Sequence, residues 1–319
     1  MRVVFQAMIL LAMYSHVTLA QTPAFLRQWG SKGSGPGQFL GAIGIAVSQD
    51  GRVYVSDYGN NRIQVFTDEG IYQYEWGGIG NADGRMQGPE GIAISPSGEV
   101  YVNDLDNHRI QKFSASGQFL GKYTFPDTES CELAGIAVSS LGEIYAADAG
   151  PHRRMSRFTS LDQVPLYWGG PGTPPGGFTY PFGVAVGPDQ TVYVTDLETQ
   201  TIQRFDHDGH FLQSWGGYGD GDGSFLAPGG IAINRDNSVW VADYTKHCIQ
   251  VFDNDGNFRA RWGSFGSEAG YFNRPIGLAF DSQGQLYVID RLNSRIQVFG
   301  EAPTPTSTIT WGKIRALYR

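Results

Sequence analysis

One phrase recurs six times along this chain, and its period limits what the chain can fold into. Each copy opens with Gly, a hydrophobic residue and Ala, runs on as a Tyr-Val-x-Asp type of strand, and closes on an Arg-Ile-Gln-x-Phe type of strand. The openings stand at Gly44, Gly91, Gly135, Gly183, Gly230 and Gly277, spaced 47, 44, 48, 47 and 47 residues apart. A unit of that length holds one small sheet, which cannot bury its own faces and must stack on its neighbours.

The first copy shows how a unit is built. Gly44-Ile45-Ala46-Val47 is a strand of small residues suited to the crowded centre of a ring. Asp50-Gly51 makes a two-residue hairpin turn, and Arg52-Val53-Tyr54-Val55 alternates as a second strand ended by Asp57. Arg62-Ile63-Gln64-Val65-Phe66 is the third strand, and Asp68-Glu69-Gly70 turns into a fourth that ends at Trp76-Gly77. Six such units predict an all-β chain, a six-bladed β-propeller with four antiparallel strands per blade.

The two ends predict how the ring closes. The internal fourth strands end in Trp76, Tyr123, Trp168, Trp215 and Trp262, but no aromatic follows directly on Phe299. Phe25-Leu26-Arg27-Gln28-Trp29-Gly30 matches Phe211-Leu212-Gln213-Ser214-Trp215-Gly216, and Trp29 precedes Gly44 by the offset that separates Trp215 from Gly230. The N-terminal segment is therefore expected to supply the outer strand of the last blade and remove an open sheet edge. Trp311-Gly312 is the competing candidate, and Pro303 and Pro305 argue against it.

Residues outside the repeat predict export. Arg2 precedes an apolar run from Val3 to Met13, and Thr18-Leu19-Ala20 offers small residues for cleavage. Residues 1–20 thus read as a signal peptide, residues 21–300 as the propeller, and residues 301–319 as a Pro/Thr-rich linker with a short cationic tail. The tail resembles short terminal tags of secreted bacterial proteins, and a segment docked on the propeller is the alternative. The expected location is secreted, periplasmic or in the cell envelope, with no membrane span. The formal charge of −8 makes phosphate-backbone binding, and so a nucleic-acid partner, unfavourable. Charged residues are only 17% of the chain, while Trp 7, Tyr 16 and Phe 19 supply ample core, so disorder is excluded. Cys131 and Cys248 fall in non-neighbouring blades and are not expected to bridge.

The pieces GIAVSQDGRVYVSDYGNNRIQVF, GIAISPSGEVYVNDLDNHRIQKF and GLAFDSQGQLYVIDRLNSRIQVF resemble the NHL repeat family, as does the linker Gly221-Asp222-Gly223-Ser224-Phe225. The resemblance covers residues 25–300 and implies the propeller fold. It is much less specific for function, because NHL propellers serve as binding platforms, RNA readers and enzymes. It also implies an alternative: amidating-lyase-like enzymes hold a metal by histidines near the channel, and lactonase-like propellers use central carboxylates. No histidine occupies an innermost position of this chain.

Residue chemistry divides the candidates. The strand-ending Asp57, Asp104, Asp148, Asp196, Asp243 and Asp290 are expected to cap loop amides and pair with the arginine that starts the next strand: Arg62, Arg109, Arg154 and Arg295. Thr201 and Cys248 break that rule, which reads as drift between the copies, with a functional patch on blades four and five as the alternative. His108, His152 and His247 lie too far from the ring centre to share a metal, and the acidic run Gly219–Gly223 lacks the order of a calcium loop. No catalytic residue, cofactor or metal is expected. The positions that vary most lie just before each opening glycine and just after each aspartate. Among them Tyr58, Glu90, Phe182, Leu197, Tyr244 and Arg291 are the expected ligand-binding residues, crowded on one loop face. The reading is a non-enzymatic, monomeric propeller that recognises a protein, peptide or glycan outside the cytoplasm.

Overall fold

The computed structural model describes residues 22–125 and 131–301. The expected signal peptide and residues 302–319 of the expected tail lie outside the described residues. Six sheets of four antiparallel strands form the blades, in strand order from the innermost outward. In the first blade these strands are Ile45–Val47, Val53–Asp57, Arg62–Phe66 and Tyr72–Gly77. The sixth contains Pro275–Phe280, Leu286–Asp290 and Arg295–Gly300, and its fourth strand is the N-terminal Ala24–Trp29. Phe25 pairs with Phe299 and Trp29 with Ile296, so the chain's two ends are zipped into one sheet as the aromatic spacing predicts. Trp311 is not needed in that place. No helix among the described residues is long and apolar enough to cross a membrane.

The apolar core lies in the seams between blades. In each of five seams an outer-strand tryptophan leans on the third-strand phenylalanine of the next blade: Trp29 on Phe66, Trp76 on Phe113, Trp168 on Phe205, Trp215 on Phe252 and Trp262 on Phe299, with centroids 5.7–6.2 Å apart. The remaining seam uses Tyr123 against Phe158 at 4.8 Å.

At the centre, the opening glycines are required by space. A Cβ added to Gly91 would stand 2.6 Å from the Ala134 carbonyl oxygen, and one on Gly183 would stand 2.5 Å from that of Gly229. At Gly44, Gly135, Gly230 and Gly277 it would collide with the carbonyls of Glu90, Phe182, Ile276 and Ile43. The innermost strands therefore approach so closely that no side chain fits between them.

Two buried polar groups on the second and third strands lock each blade to the linker before it. The third-strand glutamine accepts from a linker glycine N–H and donates to a linker carbonyl. Gln250, for example, accepts from Gly223 at 2.9 Å and donates to the Ser224 carbonyl at 2.7 Å. The strand-ending aspartate accepts the N–H that follows the linker aromatic, as Asp57 does from Leu40 at 2.8 Å. Both partners are satisfied, as buried polar groups must be. The third blade is the exception. It has Ser156 in place of the glutamine, with no hydrogen-bond partner on its buried hydroxyl, and its preceding linker is the shortened one.

Candidate functional site

The six strand-ending aspartates are fully buried, and their partners explain why they recur. Asp57, Asp104 and Asp290 each take an arginine Nε–H, from Arg62 at 2.9 Å, Arg109 at 2.7 Å and Arg295 at 2.7 Å. Each also takes a side-chain amide from the loop asparagine: Asn60 at 2.8 Å, Asn107 at 2.9 Å and Asn293 at 2.8 Å. The arginine continues into the linker carbonyls, so the pair is a brace between linker and blade. In the third blade the expected pair is loosened. Arg154 stands 3.7 Å from Asp148, and its guanidinium lies instead over the Tyr167 ring at 3.8 Å.

Blades four and five, which lack the arginine, satisfy the aspartate with other donors. Asp196 accepts four backbone N–H groups, from Thr179, Tyr180, Glu198 and Thr199, at 2.7–3.1 Å. Asp243 likewise accepts from Leu226, Ala227, Thr245 and Lys246 at 2.9–3.2 Å. A carboxylate ringed by amides needs no guanidinium. The linker contacts are restored by Lys246, whose Nζ donates to the Gly221 and Ser224 carbonyls at 3.0 and 2.8 Å.

The loop histidines serve the seams as well. His108 and His247 take the left-handed backbone position that Asn61 fills in the first blade. His108 Nδ1–H donates to the Cys131 carbonyl at 2.6 Å, whereas His247 Nδ1 accepts from the Arg274 N–H at 3.0 Å. Burial and the nearby Arg274 charge hold His247 below the usual imidazole range. His152 lies 3.4 Å from Asp148. No group of three His, Cys, Asp or Glu side chains among the described residues could hold a metal. The run Gly219–Gly223 is a linker, tied to the fifth blade by Arg261, which meets Asp222 at 3.3 Å. No disulfide joins Cys131 and Cys248, which are both buried.

Some of the variable positions lie together at the mouth of the central channel. A cavity of about 70 Å³ is lined there by Ile43, Glu90, Ala134, Phe182 and Ile276 together with the opening glycines. Tyr58, Phe182 and Tyr244 all pack against the same apolar cluster as Ile43 and Ile276. Arg291 Nη1 donates to the Tyr244 hydroxyl at 3.3 Å, and the Leu197 N–H donates to the Tyr180 carbonyl at 3.0 Å.

Two features differ from the expected open recognition surface. Tyr58, Phe182, Tyr244 and Arg291 are half-buried, so they are partly structural. Glu90 is buried, with 9% of its surface exposed. Burial in this apolar ring pushes its carboxyl up to about 7, opposed by the Arg291 charge and reinforced by Glu132 and Asp106.

The mouth also contains residues that the variable positions alone did not single out. Tyr180 sits beside Phe182, and burial pushes its hydroxyl up to about 12, with Glu90, Glu132 and Glu198 adding to the shift. Arg274 lies over the Tyr244 ring at 5.0 Å. Glu132, Tyr180 and Arg274 stand three residues before an opening glycine, and Asp106 and Glu198 two after an aspartate. Extending the repeat comparison by two positions before the glycine and one after the aspartate finds all five. The rim is thus acidic along blades two to four and basic at blade six.

Comparisons with known proteins agree with this architecture. Five segments match the NHL repeat, at residues 39–66, 86–113, 178–205, 225–252 and 272–299. The third blade, with its short linker and Ser156, is not among them. The E3 ubiquitin-protein ligase TRIM32 of Homo sapiens is 50% identical over 46 residues, which are 14% of this chain and only 7% of that protein. Among solved structures, a virginiamycin B lyase from Staphylococcus aureus aligns with a TM-score of 0.59 at 17% identity, covering 81% of this chain and 80% of that one. A gluconolactonase from Xanthomonas campestris aligns with a TM-score of 0.62 at 17% identity over 83% and 87% of the two chains. The calcium-binding protein regucalcin from Agrobacterium tumefaciens gives 0.61 at 13% identity over 86% and 95%. At these identities the likeness is one of fold.

Proposed function

The chain carries five NHL repeats within a six-bladed β-propeller, and from that premise we propose that it is an exported, non-enzymatic binding protein that engages a protein, peptide or glycan at the channel mouth. One observation carries the reading. Of the side chains that the repeat leaves free to vary, Glu90 and Phe182 line one cavity, Tyr58 and Tyr244 join Phe182 in the apolar cluster that holds Ile43 and Ile276 of its wall, and Arg291 reaches Tyr244. Half-buried aromatics beside an arginine are the composition of an interface anchor. Export rests on the N-terminal apolar run, and sequencing the mature N-terminus, expected near Gln21, tests it.

The binding reading is tested by screening the purified propeller against peptide and glycan libraries, then rescreening hits with Phe182→Ala and Arg291→Ala. Truncating an anchor costs about 2 kcal/mol, roughly 30-fold in affinity. Hits that bind both variants as tightly as wild type, or that map to the opposite turns around Asp50 and Pro96, sink the proposal.

A second reading, an enzyme on the same scaffold, is favoured by Glu90, a carboxyl near neutrality at the channel like a general acid or base. The channel lining does not fit a metal, since Glu90 is its one carboxylate among the described residues and it has no histidine. Turnover of a lactone by wild type and its loss in Glu90→Gln would favour this reading over the first.

A further inference from the structure

The carboxylate of Glu90 has no hydrogen bond or ion pair with any described residue, although nine-tenths of the residue is buried and it lines the central cavity. A buried carboxylate left without a partner is costly, and its neighbours do not relieve it. Arg291 acts on it from a distance, against the like charges of Glu132 and Asp106. No other lining residue carries a charged or polar side chain.

In three blades the side chain before the strand-ending aspartate caps the carbonyl of the neighbouring innermost strand. Ser56 donates to Glu90, Asn103 to Ala134 at 2.8 Å and Thr195 to Gly229 at 2.7 Å. In the other three that residue is Ala147, Ala242 or Ile289, so the carbonyls of Phe182, Ile276 and Ile43 meet no side-chain donor there. The rest of the lining is aliphatic: Ile45, Ile92, Ile136, Val184, Ile231 and Leu278. A volume of about 70 Å³ holds a few water-sized groups, enough for a narrow unbranched chain and too little for a folded ligand.

We propose that the channel mouth is a site for a primary ammonium on an unbranched aliphatic stem, such as a lysine side chain of a partner, with the ammonium on Glu90 and the stem against the aliphatic wall. An ammonium brings three donors and no acceptor, which suits a carboxylate and bare carbonyls. This rests on the mouth being the binding face and specifies what enters it.

The test uses ¹⁵N-labelled propeller titrated with 1-aminopentane and, separately, with 1-pentanol at mildly alkaline pH. The amine is expected to give saturable shifts at the amides of Glu90, Gly91 and Gly183, with millimolar affinity fitting a ligand of so few atoms. Pentanol is expected to give none, and Glu90→Gln to weaken the amine by at least about tenfold. The wild-type contrast between amine and alcohol needs no variant, so it stands even if the substitution disturbs folding. Equal shifts from pentanol, undiminished amine binding in Glu90→Gln, or calcium chloride titrating the same amides and excluding the amine each overturn it. If the amine fails while Phe182→Ala still destroys binding of a library hit, only the ammonium inference falls. If Phe182→Ala leaves that binding intact, the mouth itself is the wrong face.

Discussion

Replacing Trp29 by alanine probes the one blade whose outer strand pairs with its third strand without a hairpin joining the two. Trp29 stands on the closing strand, 5.9 Å from the Phe66 ring of blade one and 6.2 Å from Tyr287 of blade six. Gly70, at φ 82°, passes so close over the indole that a Cβ there would overlap it, so the ring is gripped from three sides. Removing a core tryptophan costs about 3–5 kcal/mol, and Trp29 is only half-buried, which places it near the lower end. At roughly 2 °C per kcal/mol for a chain of this size, Trp29→Ala is expected to lower the melting temperature by about 6 °C, with Trp29→Phe retaining most of it. Calorimetry gives the shift, and native-state hydrogen exchange gives its location. The amides of Ile296 and Val298 are expected to exchange faster in Trp29→Ala, because opening the closing strand uncovers the third strand of blade six. Trp215→Ala is the control, with the same geometry against Phe252 and Tyr193 but on an outer strand that a hairpin joins to its own blade. It is expected to cost similar stability and leave exchange in blade six unchanged. If Trp29→Ala melts within about 1 °C of wild type, the N-terminal strand does not hold the ring closed.

Two further outcomes follow from the buried polar groups. Gln250→Ala removes two hydrogen bonds and strands the Gly223 N–H, while the Ser224 carbonyl keeps its bond from Lys246, so it is expected to cost about 2 kcal/mol, measured by denaturant unfolding; Ser156→Ala, at the equivalent place in blade three, is expected to be nearly neutral. Glu90 is an acid whose folded pKa lies above its unfolded value, so it destabilises the fold progressively as pH rises from about 4.5 to about 7 and has no such cost below that window. Glu90→Gln is therefore expected to equal wild type in unfolding free energy near pH 4 and exceed it above neutrality, by up to about 3 kcal/mol. A constant difference across pH contradicts the burial argument.

Much of the architecture is legible in the chain because a repeat states each local rule several times. The opening glycines, the strand-ending aspartates and the third-strand glutamines recur since each sits where geometry admits one chemistry: no Cβ, a buried acceptor, or a donor and acceptor on one side chain. Even the closure is written in the sequence, as the missing sixth aromatic and its match at Trp29. What sequence alone could not decide were the partners of residues that break the rule. Thr201 and Cys248 look like losses, yet loop amides from two segments converge on Asp196 and Asp243 and replace the guanidinium, because backbone donors carry no residue identity. The exposure of Glu90 was equally hidden. A charged residue in a variable position reads as surface, and only closing the ring sets it among aliphatic side chains from other blades, where most of it is withdrawn from water and its carboxylate has no hydrogen-bond partner among the described residues.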